Sequence, residues 1–506
     1  MKINLLENEV WYGLAVEDGD KMPLDASKSY SRNLQPVNTN NQYSPLLLSS
    51  KGRYIWGDDG FNLTLADGVL TVESSLAEVK LYEGYENLRG AFRTAAKAHF
   101  PADGKLPPEE FFSKPQYNTW IELLYEQNQH DITEYCRHIV EHNMPKGVIM
   151  IDDMWCDYYG YWDFNRRKFP DPKGMMDLLH QWGFKVMVWI CPFISPDSKE
   201  FRLLRDRGGL VRTQDGKVRM VEWWDGISAV LDLSNPVDQQ WFREQCDFLT
   251  ETYGVDGFKF DAGDAYFYRM DDKTFGNVTP NQQCELWAQV GLNYPYNEYR
   301  ACCKNAGRPL VQRLQDKGHR WTGTGVNQLL PHMLAQGILG YAFGCPDMVG
   351  GGQFADFLPG AVNFEQELFV RYCAAAALMP MIQFSAAPWR VLDDEHYAMI
   401  LKLMEVRERF LPEILRLVRE AAFTGEPAVR YMEYVFPGQG LERVTDQFML
   451  GDDILVAPVL TKGARSRSVI LPAGRWKRDV GGELLEGGRT VTVDAALDEL
   501  PVFVRA

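Results

Sequence analysis

Two short segments carry the carboxylates best suited to chemistry. In GVDGFKFDAGDA, Asp261 follows a short apolar run and precedes small residues that let a ligand approach the backbone. Lys259 lies two residues earlier, on the same side of a strand, and its ammonium would keep the Asp261 carboxylate ionised at neutral pH. This arrangement suits a nucleophile. The alternative is a strand-end Asp that caps a helix or simply pairs with Lys259.

The second segment is IDDMW, in which Asp152 and Asp153 end an apolar run and Trp155 follows. A carboxylate beside an aromatic ring suits sugar recognition, because the acid accepts hydroxyl hydrogen bonds while the ring packs on the C–H face. A helix-capping pair is the alternative. Tryptophans near predicted strand ends together favour a carbohydrate cleft, although each alone is typical of a core: Trp120, Trp155, Trp162, Trp189, Trp223, Trp224, Trp321 and Trp389.

The elements that must position these residues alternate along residues 106–414. Apolar runs such as GVIMIDDMW and FKVMVWICPF are separated by helix-period stretches such as DITEYCRHIVEHNM, which is typical of a parallel sheet covered by helices. About eight such units predict a (β/α)8 TIM barrel. Several aspartates end apolar runs, and that face of a barrel is where active sites lie: Asp152, Asp153, Asp232, Asp261 and Asp347.

The flanking regions have the sequence pattern of antiparallel β-strands. Residues 1–105 are turn-rich with short alternating runs, and residues 415–506 return to that pattern, so we predict an N-terminal and a C-terminal antiparallel β-sandwich around the barrel. A Pro-containing, charged segment at residues 102–110 is expected to link the first two regions.

Composition excludes several classes of protein. The 506 residues carry a net charge of -16, which disfavours binding to nucleic acid. The N-terminus lacks the apolar run of a signal peptide, and no apolar stretch reaches about 18 residues, so we expect a cytoplasmic chain without membrane contact. Cysteine and histidine spacings predict no metal site, and neither a GxSxG nor a Walker motif occurs.

The barrel segments resemble glycoside hydrolase family 31, in particular the branch that contains myogenesis-regulating glycosidase and bacterial α-galactosidase-like members. The matching segments, in order, are YNTWIE, IDDMWCDYYGYWDFNRRKFPDPKGM, FKVMVWICPF, VEWWDGISAVLDLSNP, GFKFDAGD, LLPHMLAQGILGYAFGCPDMVGG and SAAPWRVL. The resemblance implies a β-sandwich, a (β/α)8 barrel and C-terminal β domains. It also implies retaining hydrolysis of a terminal α-linked sugar without a cofactor.

The same resemblance implies roles for individual residues. Asp261 corresponds to the nucleophile, and Asp152 or Asp153 to the residue that binds the O4/O6 side of the sugar. The WWDGI and KFD segments favour α-galactosidase-like members. The remaining residues that it implies to line or close the substrate site are Trp120, Trp155, Trp224, Lys259, Arg313, Trp389 and Arg390. From the strand-end and tryptophan patterns, we also predict that Asp347 and Trp321 bind substrate.

The sequence departs from the family at the acid/base. Relatives place an Asp just after a Trp, but here the stretch from Trp321 to Asn327 reads WTGTGVN, and Thr324 or Gly323 occupies the expected position. Asn327 stands where relatives often carry an arginine. A threonine hydroxyl cannot deliver a proton at neutral pH, because its pKa lies far above the useful range.

Four explanations for the missing acid stay open. Another carboxylate, such as Asp264, Asp316 or Asp347, could take the role. The leaving group could need no protonation, the substrate could supply the acid, or the chain could be a sugar-binding relative with weak or no hydrolysis.

Our hypothesis is a retaining α-glycosidase that favours an α-galactoside, with α-glucosides and sulfoquinovosides as other candidates and transfer or elimination as other chemistry. An anionic sugar would require a basic pocket, and residues 166–168 (RRK) are candidates to form one. Such a run of charges is more often a solvent-exposed surface segment. As partners we expect a small carbohydrate and no nucleic acid; whether the chain forms a homo-oligomer stays open.

Overall fold

The N-terminal region consists of two four-stranded antiparallel sheets followed by a helix. The computed structural model describes residues 1–506. The sheets have the strand orders β1-β7-β6-β3 and β2-β4-β5-β8. The elements are β1 (Lys2–Asn4), β2 (Trp11–Ala15), β3 (Tyr30–Asn33), β4 (Tyr43–Ser49), β5 (Tyr54–Gly57), β6 (Asn62–Ala66), β7 (Val69–Glu73), β8 (Val79–Tyr82) and α1 (Leu88–His99), with a 3-10 helix at Val16–Lys21.

Eight parallel strands form the barrel, in the order β20-β19-β18-β17-β13-β10-β9-β21. An isolated parallel bridge between Met348 and Gln383 joins the two ends of this order. The (β/α)8 barrel with flanking antiparallel sheets predicted from the sequence is therefore confirmed. The barrel strands are β9 (Gln116–Asn118), β10 (Val148–Ile151), β13 (Lys185–Ile190), β17 (Gly257–Phe260), β18 (Tyr296–Tyr299), β19 (Gln312–Arg313), β20 (Gly344–Cys345) and β21 (Gln383–Phe384).

Short strands in the loops of this region form a hairpin and a three-stranded sheet outside the barrel. They are β11 (Cys156–Tyr158), β12 (Tyr161–Phe164), β14 (Phe193–Ile194), β15 (Met220–Trp223) and β16 (Gly226–Val230). The helices are α2 (Glu110–Ser113), α3 (Trp120–Leu123), α4 (Gln129–Glu141), α5 (Pro172–Gln181), α6 (Lys199–Arg207), α7 (Pro236–Tyr253), α8 (Pro280–Val290), α9 (Leu329–Ile338), α10 (Gln366–Ala376), α11 (Pro388–Val391) and α12 (Asp394–Thr424).

Local sequence determines where several of the covering helices begin. Helices α5, α7 and α8 each start with a proline, preceded by Asp171, Asn235 and Thr279 respectively, whose side chains accept hydrogen bonds from the first turn. Proline at the first helical position loses no hydrogen bond, and the preceding polar side chain caps a free N–H. The connection between β18 and β19 contains no helix, which departs from the ideal alternation.

The C-terminal region is built from a six-stranded and a two-stranded antiparallel sheet. Its elements are β22 (Val429–Arg430), α13 (Met432–Val435), β23 (Phe448–Leu450), β24 (Ile454–Val456), β25 (Ser466–Leu471), β26 (Arg475–Arg478), β27 (Leu484–Glu486), β28 (Arg489–Asp494) and β29 (Val502–Arg505). The boundary predicted at residue 414 falls inside α12, and the predicted domain limits stay predictions. No helix of the structure combines the length and apolar character needed to cross a bilayer.

Strand periodicity divides the C-terminal side chains between two cores. Ile454 and Val456 pack in the large core that the barrel shares with the N-terminal sheets, whereas Leu455 between them packs in a separate small core with Trp476. Successive side chains of a strand point to opposite faces, so one strand can serve both cores. The sheets on both flanks are thereby joined to the barrel by apolar packing.

The segment before β4 reaches the loops at the active end of the barrel. Gln42, which is fully buried, donates hydrogen bonds to the carbonyl oxygens of Arg300 (2.6 Å) and Arg313 (2.7 Å). Its neighbour Asn41 accepts one from the backbone N–H of Gln315 at 2.7 Å. These bonds fix two barrel loops relative to the N-terminal sheets.

We expect Gln42→Leu to destabilise the protein while preserving side-chain volume. The change leaves two buried carbonyls without a donor and should lower the free energy of unfolding by about 1–3 kcal/mol. Urea denaturation measures this, with Gln240→Leu, at an exposed glutamine of α7, as the control. Equal stability of the two variants would show that residue 42 does not hold these loops.

Candidate active site

A cavity of about 730 Å³ opens at the carboxyl ends of the barrel strands. This is the face on which TIM-barrel loops assemble active sites. The residues that line it are Asn40, Trp120, Tyr125, Asp152, Asp153, Trp189, Trp224, Lys259, Asp261, Tyr266, Arg300, Arg313, Gln315, Asp316, Arg320, Thr324, Met348, Gly352, Gln353, Phe354, Ala355 and Asp356.

Asp261 follows the last residue of β17 and has both carboxylate oxygens in hydrogen bonds. Oδ1 accepts from Nε of Arg300 (2.9 Å) and from the N–H of Ala262 (2.8 Å), and Oδ2 accepts from Nε1 of Trp189 (3.0 Å). Burial alone would raise the pKa of Asp261, but the charges of Arg300 and Lys259 outweigh it and hold the pKa well below the usual range. The carboxylate is therefore ionised at neutral pH.

Arg300 neutralises a second carboxylate as well. Its Nη1 and Nη2 each lie 2.8 Å from an oxygen of Asp264, and Nη1 also donates to the carbonyl oxygen of Asn40 at 2.6 Å. The guanidinium lies 5.6 Å from the ring centre of Trp224, which is half exposed on the cavity wall. Arg300 thus connects the carboxylate, an aromatic wall and the N-terminal segment.

The other side of the cavity floor holds a second ion pair. Nζ of Lys259 lies 2.7 Å from Oδ2 of Asp152, which also accepts a hydrogen bond from Nδ2 of Asn118 at 2.8 Å. Burial opposes the charge of Lys259, yet Asp152 raises its pKa above the ordinary value. Lys259 therefore pairs directly with Asp152 and acts on Asp261 only through its charge.

Asp153 faces a different environment from Asp152. Its Oδ2 accepts a hydrogen bond from the hydroxyl of Tyr159 at 3.0 Å. Burial first, and then the nearby carboxyl groups of Asp225 and Asp152, raise the pKa of Asp153 well above its usual range. A neutral carboxyl here can donate a hydrogen bond as well as accept one.

Arg313, the last residue of β19, lies against three carboxylates. Its Nη1 donates to Oδ1 of Asp316 (2.8 Å) and to Oδ1 of Asp347 (2.7 Å), and its Nε lies 3.4 Å from Glu298. Asp347 has no exposed surface, and it also accepts a hydrogen bond from the N–H of Lys317 at 2.7 Å. Burial, partly offset by Arg313, raises the pKa of Asp347 to about 7.

Thr324 lies on the cavity wall, in the loop between β19 and α9. The side chain is exposed and makes no hydrogen bond. Its carbonyl oxygen accepts a hydrogen bond from the N–H of Gly318 at 2.9 Å, which closes the loop on itself. No carboxylate occurs between Trp321 and Asn327, so this wall offers no acid at residue 324.

The structure brings together most of the residues that the sequence predicted for the site, but not all of them. Those that line the cavity are Trp120, Asp152, Asp153, Trp224, Lys259, Asp261, Arg313 and Thr324. The others bind neighbouring groups instead. Trp155 is fully buried and donates a hydrogen bond to the carbonyl oxygen of Trp189, and Trp321 donates one to Glu365. Asp347 accepts a hydrogen bond from Arg313. Trp389 stacks on His142, and Arg390 binds Glu122.

The three carboxylates considered as substitute acids differ in access. Asp264 and Asp347 have almost no exposed surface and are bound by Arg300 and Arg313 respectively. Asp316 lines the cavity, and a third of its side chain is exposed. The basic run at residues 166–168 does not line the cavity; Lys168, for example, binds the carbonyl oxygen of Tyr125.

Several cavity residues were not predicted as site residues. Arg300 follows β18 as Asp261 follows β17, but β18 reads YNEY, which does not resemble an apolar strand. Asn40 lies in the loop between β3 and β4 of the N-terminal region, and nothing in its local sequence indicates a role. In the sequence, Trp189 is one of many tryptophans near predicted strand ends, and no local signal separates it from the others.

Comparison with known families identifies the architecture around this cavity. The family model for the glycosyl hydrolases family 31 TIM-barrel domain matches residues 107–417, and the model for the family 31 C-terminal domain matches residues 425–506. This chain belongs to glycosyl hydrolase family 31. The family 31 assignment made from the barrel segments is therefore confirmed.

Curated relatives agree with the family 31 assignment. Myogenesis-regulating glycosidase of Mus musculus is 33% identical over 424 residues, which are 81% of this chain and 58% of the relative. Alpha-glucosidase 2 of Bacillus thermoamyloliquefaciens is 27% identical over 412 residues, 75% of this chain and 51% of the relative. The family 31 chain described here thus spans little more than half the length of these two proteins.

Solved family 31 structures share the fold. A dextranase of Flavobacterium johnsoniae in complex with glucose superposes with a TM-score of 0.86 at 21% identity, covering 100% of this chain and 66% of that chain. A sulfoquinovosidase of E. rectale in complex with an aza-sugar inhibitor also has a TM-score of 0.86, at 18% identity, covering 100% and 82%. At these identities the likeness concerns the fold.

We expect Asp347→Asn to remove one pH-dependent contribution to stability. A carboxyl whose pKa is raised on folding stabilises the folded state at low pH, and this contribution is lost as pH rises from the unfolded pKa, about 4, to the folded value of about 7. The difference in unfolding free energy between the variant and the parent should therefore shift in favour of the variant across this range. Urea denaturation at pH 4.5, 5.5, 6.5 and 7.5 measures it, and a difference independent of pH would contradict the expectation.

Proposed function

We propose that this chain is a retaining α-glycosidase that hydrolyses a terminal α-linked hexose, with Asp261 as the nucleophile. The observation that carries the proposal is the environment of Asp261. It is a carboxylate at the base of a sugar-sized cavity, held ionised by Arg300 and Lys259, with its oxygens oriented by Trp189 and Ala262. An oriented, ionised carboxylate is what attack on an anomeric carbon requires.

In the proposed reaction, one oxygen of Asp261 forms a bond to C1 while the bond from C1 to the aglycone oxygen breaks. The covalent glycosyl ester is then attacked by water from the face that the aglycone left, so the α configuration is retained. The charges around the carboxylate favour this order of steps, because they stabilise the ionised form of Asp261 both before it attacks C1 and after it is released. The same charges make protonation of Asp261 unfavourable.

We further propose a preference for α-galactosides. Galactose has an axial O4, which leaves the hydrogens of C3, C4 and C5 on one face for packing against an aromatic ring. Trp224 and Trp120 provide such rings on the cavity wall. The adjacent carboxyl groups of Asp152 and Asp153, one paired with Lys259 and the other with its pKa raised by burial and by Asp225, offer acceptors to the O4/O6 side, and a protonated Asp153 would add a donor.

The alternative function is a carbohydrate-binding protein of the same family with weak or no hydrolysis. The observation that favours it is Thr324, which lies in the cavity wall without any carboxylate between residues 321 and 327. In both functions the ligand is a small carbohydrate bound in the same cavity. The two proposals therefore differ in turnover and agree on binding.

Asp261→Ala tests the nucleophile. We expect kcat/KM for an activated α-glycoside to fall by at least about 10⁴-fold, because no covalent intermediate can form, while sugar affinity is kept. Steady-state kinetics and calorimetric titration measure the two quantities. Asp157→Ala, at an exposed aspartate of β11 outside the cavity, is the control. Full turnover by Asp261→Ala would show that another residue is the nucleophile.

A panel of dinitrophenyl α-glycosides tests the sugar preference. We expect kcat/KM for the galactoside to exceed that for the glucoside and the sulfoquinovoside by at least about tenfold, since a mispositioned O4 loses hydrogen bonds that are worth about 1–3 kcal/mol. Trp224→Ala should reduce this ratio if the ring packs on the C–H face. A larger kcat/KM for the glucoside would contradict the preference.

A further inference from the structure

We propose that Asp316 supplies the proton to the leaving group and removes it from the attacking water, in place of the carboxylate that is missing at residue 324. This assignment rests on the proposed glycosidase function.

Access separates Asp316 from the other carboxylates of the cavity. Asp152, Asp153 and Asp261 each have both oxygens in hydrogen bonds within the protein, and all three residues are buried. Asp356 is 7% exposed and accepts a hydrogen bond from the N–H of His319. In Asp316 only Oδ1 is engaged, by Arg313, and 34% of the side chain is exposed. Its Oδ2 is therefore free to form a hydrogen bond with a ligand.

Asp316 and Thr324 belong to the same loop, which runs from the end of β19 to α9. Backbone hydrogen bonds from Gly318 to Thr324 and from Val326 to Arg320 (2.9 and 3.0 Å) fold this loop back on itself. Both side chains consequently line one cavity. A carboxylate lost at residue 324 can be replaced from residue 316 without a change in the barrel.

The glycine run VGGGQ at residues 349–353 leaves space for this carboxylate. A Cβ atom at Gly352 would lie 2.7 Å from Cγ of Asp316 and 2.6 Å from Cε of Met348, closer than real contacts allow. Gly352 is not in the left-handed region, so its backbone does not require glycine. The missing side chain here keeps the Asp316 carboxylate in the cavity.

The groups around Asp316 hold one side of its carboxylate and leave the other side toward the cavity. Asp316 and Asp347 both accept from Nη1 of Arg313, so two carboxylates share one cationic nitrogen. Glu298 lies against Nε of Arg313, and Nζ of Lys317 is turned away to Nδ1 of His332 at 2.9 Å. The Arg313 guanidinium is thus shared among several carboxylates, and none of its neighbours contacts Oδ2 of Asp316. Asp316 is the one of these carboxylates that lines the cavity.

As Asp261 bonds to C1, the electron pair of the breaking C1–O bond goes to the aglycone oxygen, which takes the proton of Asp316 and leaves as an alcohol. The resulting Asp316 carboxylate then removes a proton from water. The water oxygen bonds to C1, the ester bond to Asp261 breaks, and both carboxyl groups return to their starting states.

Asp316→Asn tests this assignment, with each sugar offered as an alkyl and as a dinitrophenyl glycoside. We expect kcat/KM for the alkyl glycoside to fall by about 10²–10⁴-fold, because general acid help is lost, while kcat/KM for the dinitrophenyl glycoside changes by less than about tenfold. With azide added, the variant should release the α-glycosyl azide, since azide needs no base. Asp316→Glu should recover part of the lost rate, and Asp157→Asn should match the parent.

Three outcomes would overturn the assignment. An equal loss for both leaving groups, with no azide product, would show that Asp316 only positions Arg313; melting temperature and sugar affinity check that the variant is folded. A parent enzyme that turns over dinitrophenyl but not alkyl glycosides would show that it has no acid, while Asp261 stays the nucleophile. No turnover of any glycoside by the parent, with sugar binding retained, would instead overturn the glycosidase function itself.

Discussion

The active end of this molecule depends on a buried ion pair between Arg300 and Asp261. Taking a carboxylate out of water costs on the order of several kcal/mol unless a cation and hydrogen bonds replace the lost solvent. Arg300 supplies that cation, but it is itself buried and needs partners in turn, which are Asp264 and the carbonyl oxygen of Asn40. The position of one carboxylate therefore constrains two barrel loops and a segment of the N-terminal sheets.

Much of the fold and part of the site could be predicted from local sequence. Apolar strands, capped helices and aspartates at strand ends have signals a few residues long. The barrel, and the placement of Asp152 and Asp261 in one cavity, could therefore be predicted from the sequence. Parallel strands in a barrel bring their carboxyl ends together, so a strand-end residue is near other strand-end residues whatever their separation along the chain.

The rest depends on contacts between distant segments, which local patterns do not encode. The barrel interior near Arg313 is polar, with Glu298 and Gln383 hydrogen-bonded at 2.9 Å, so β18 was not recognised as a strand and Arg300 after it was missed. Trp155 has the same local signals as a cavity tryptophan, yet its indole N–H binds the carbonyl oxygen of Trp189 in the core. Packing between distant segments determines whether an aromatic residue lines the cavity or lies in the hydrophobic core.

The hydrogen bonds between residues 40–42 and the barrel loops bear on how family 31 chains can be recombined. A chimera that joins this barrel to the N-terminal sheets of a relative would import a foreign segment opposite Arg300, and the arginine would keep its carbonyl partner only if that segment followed the same backbone path. Libraries that diversify only the barrel loops would likewise leave one wall of the pocket unvaried. The pocket of this architecture is thus formed by two structural regions together, and the unit that can be exchanged intact is larger than the barrel.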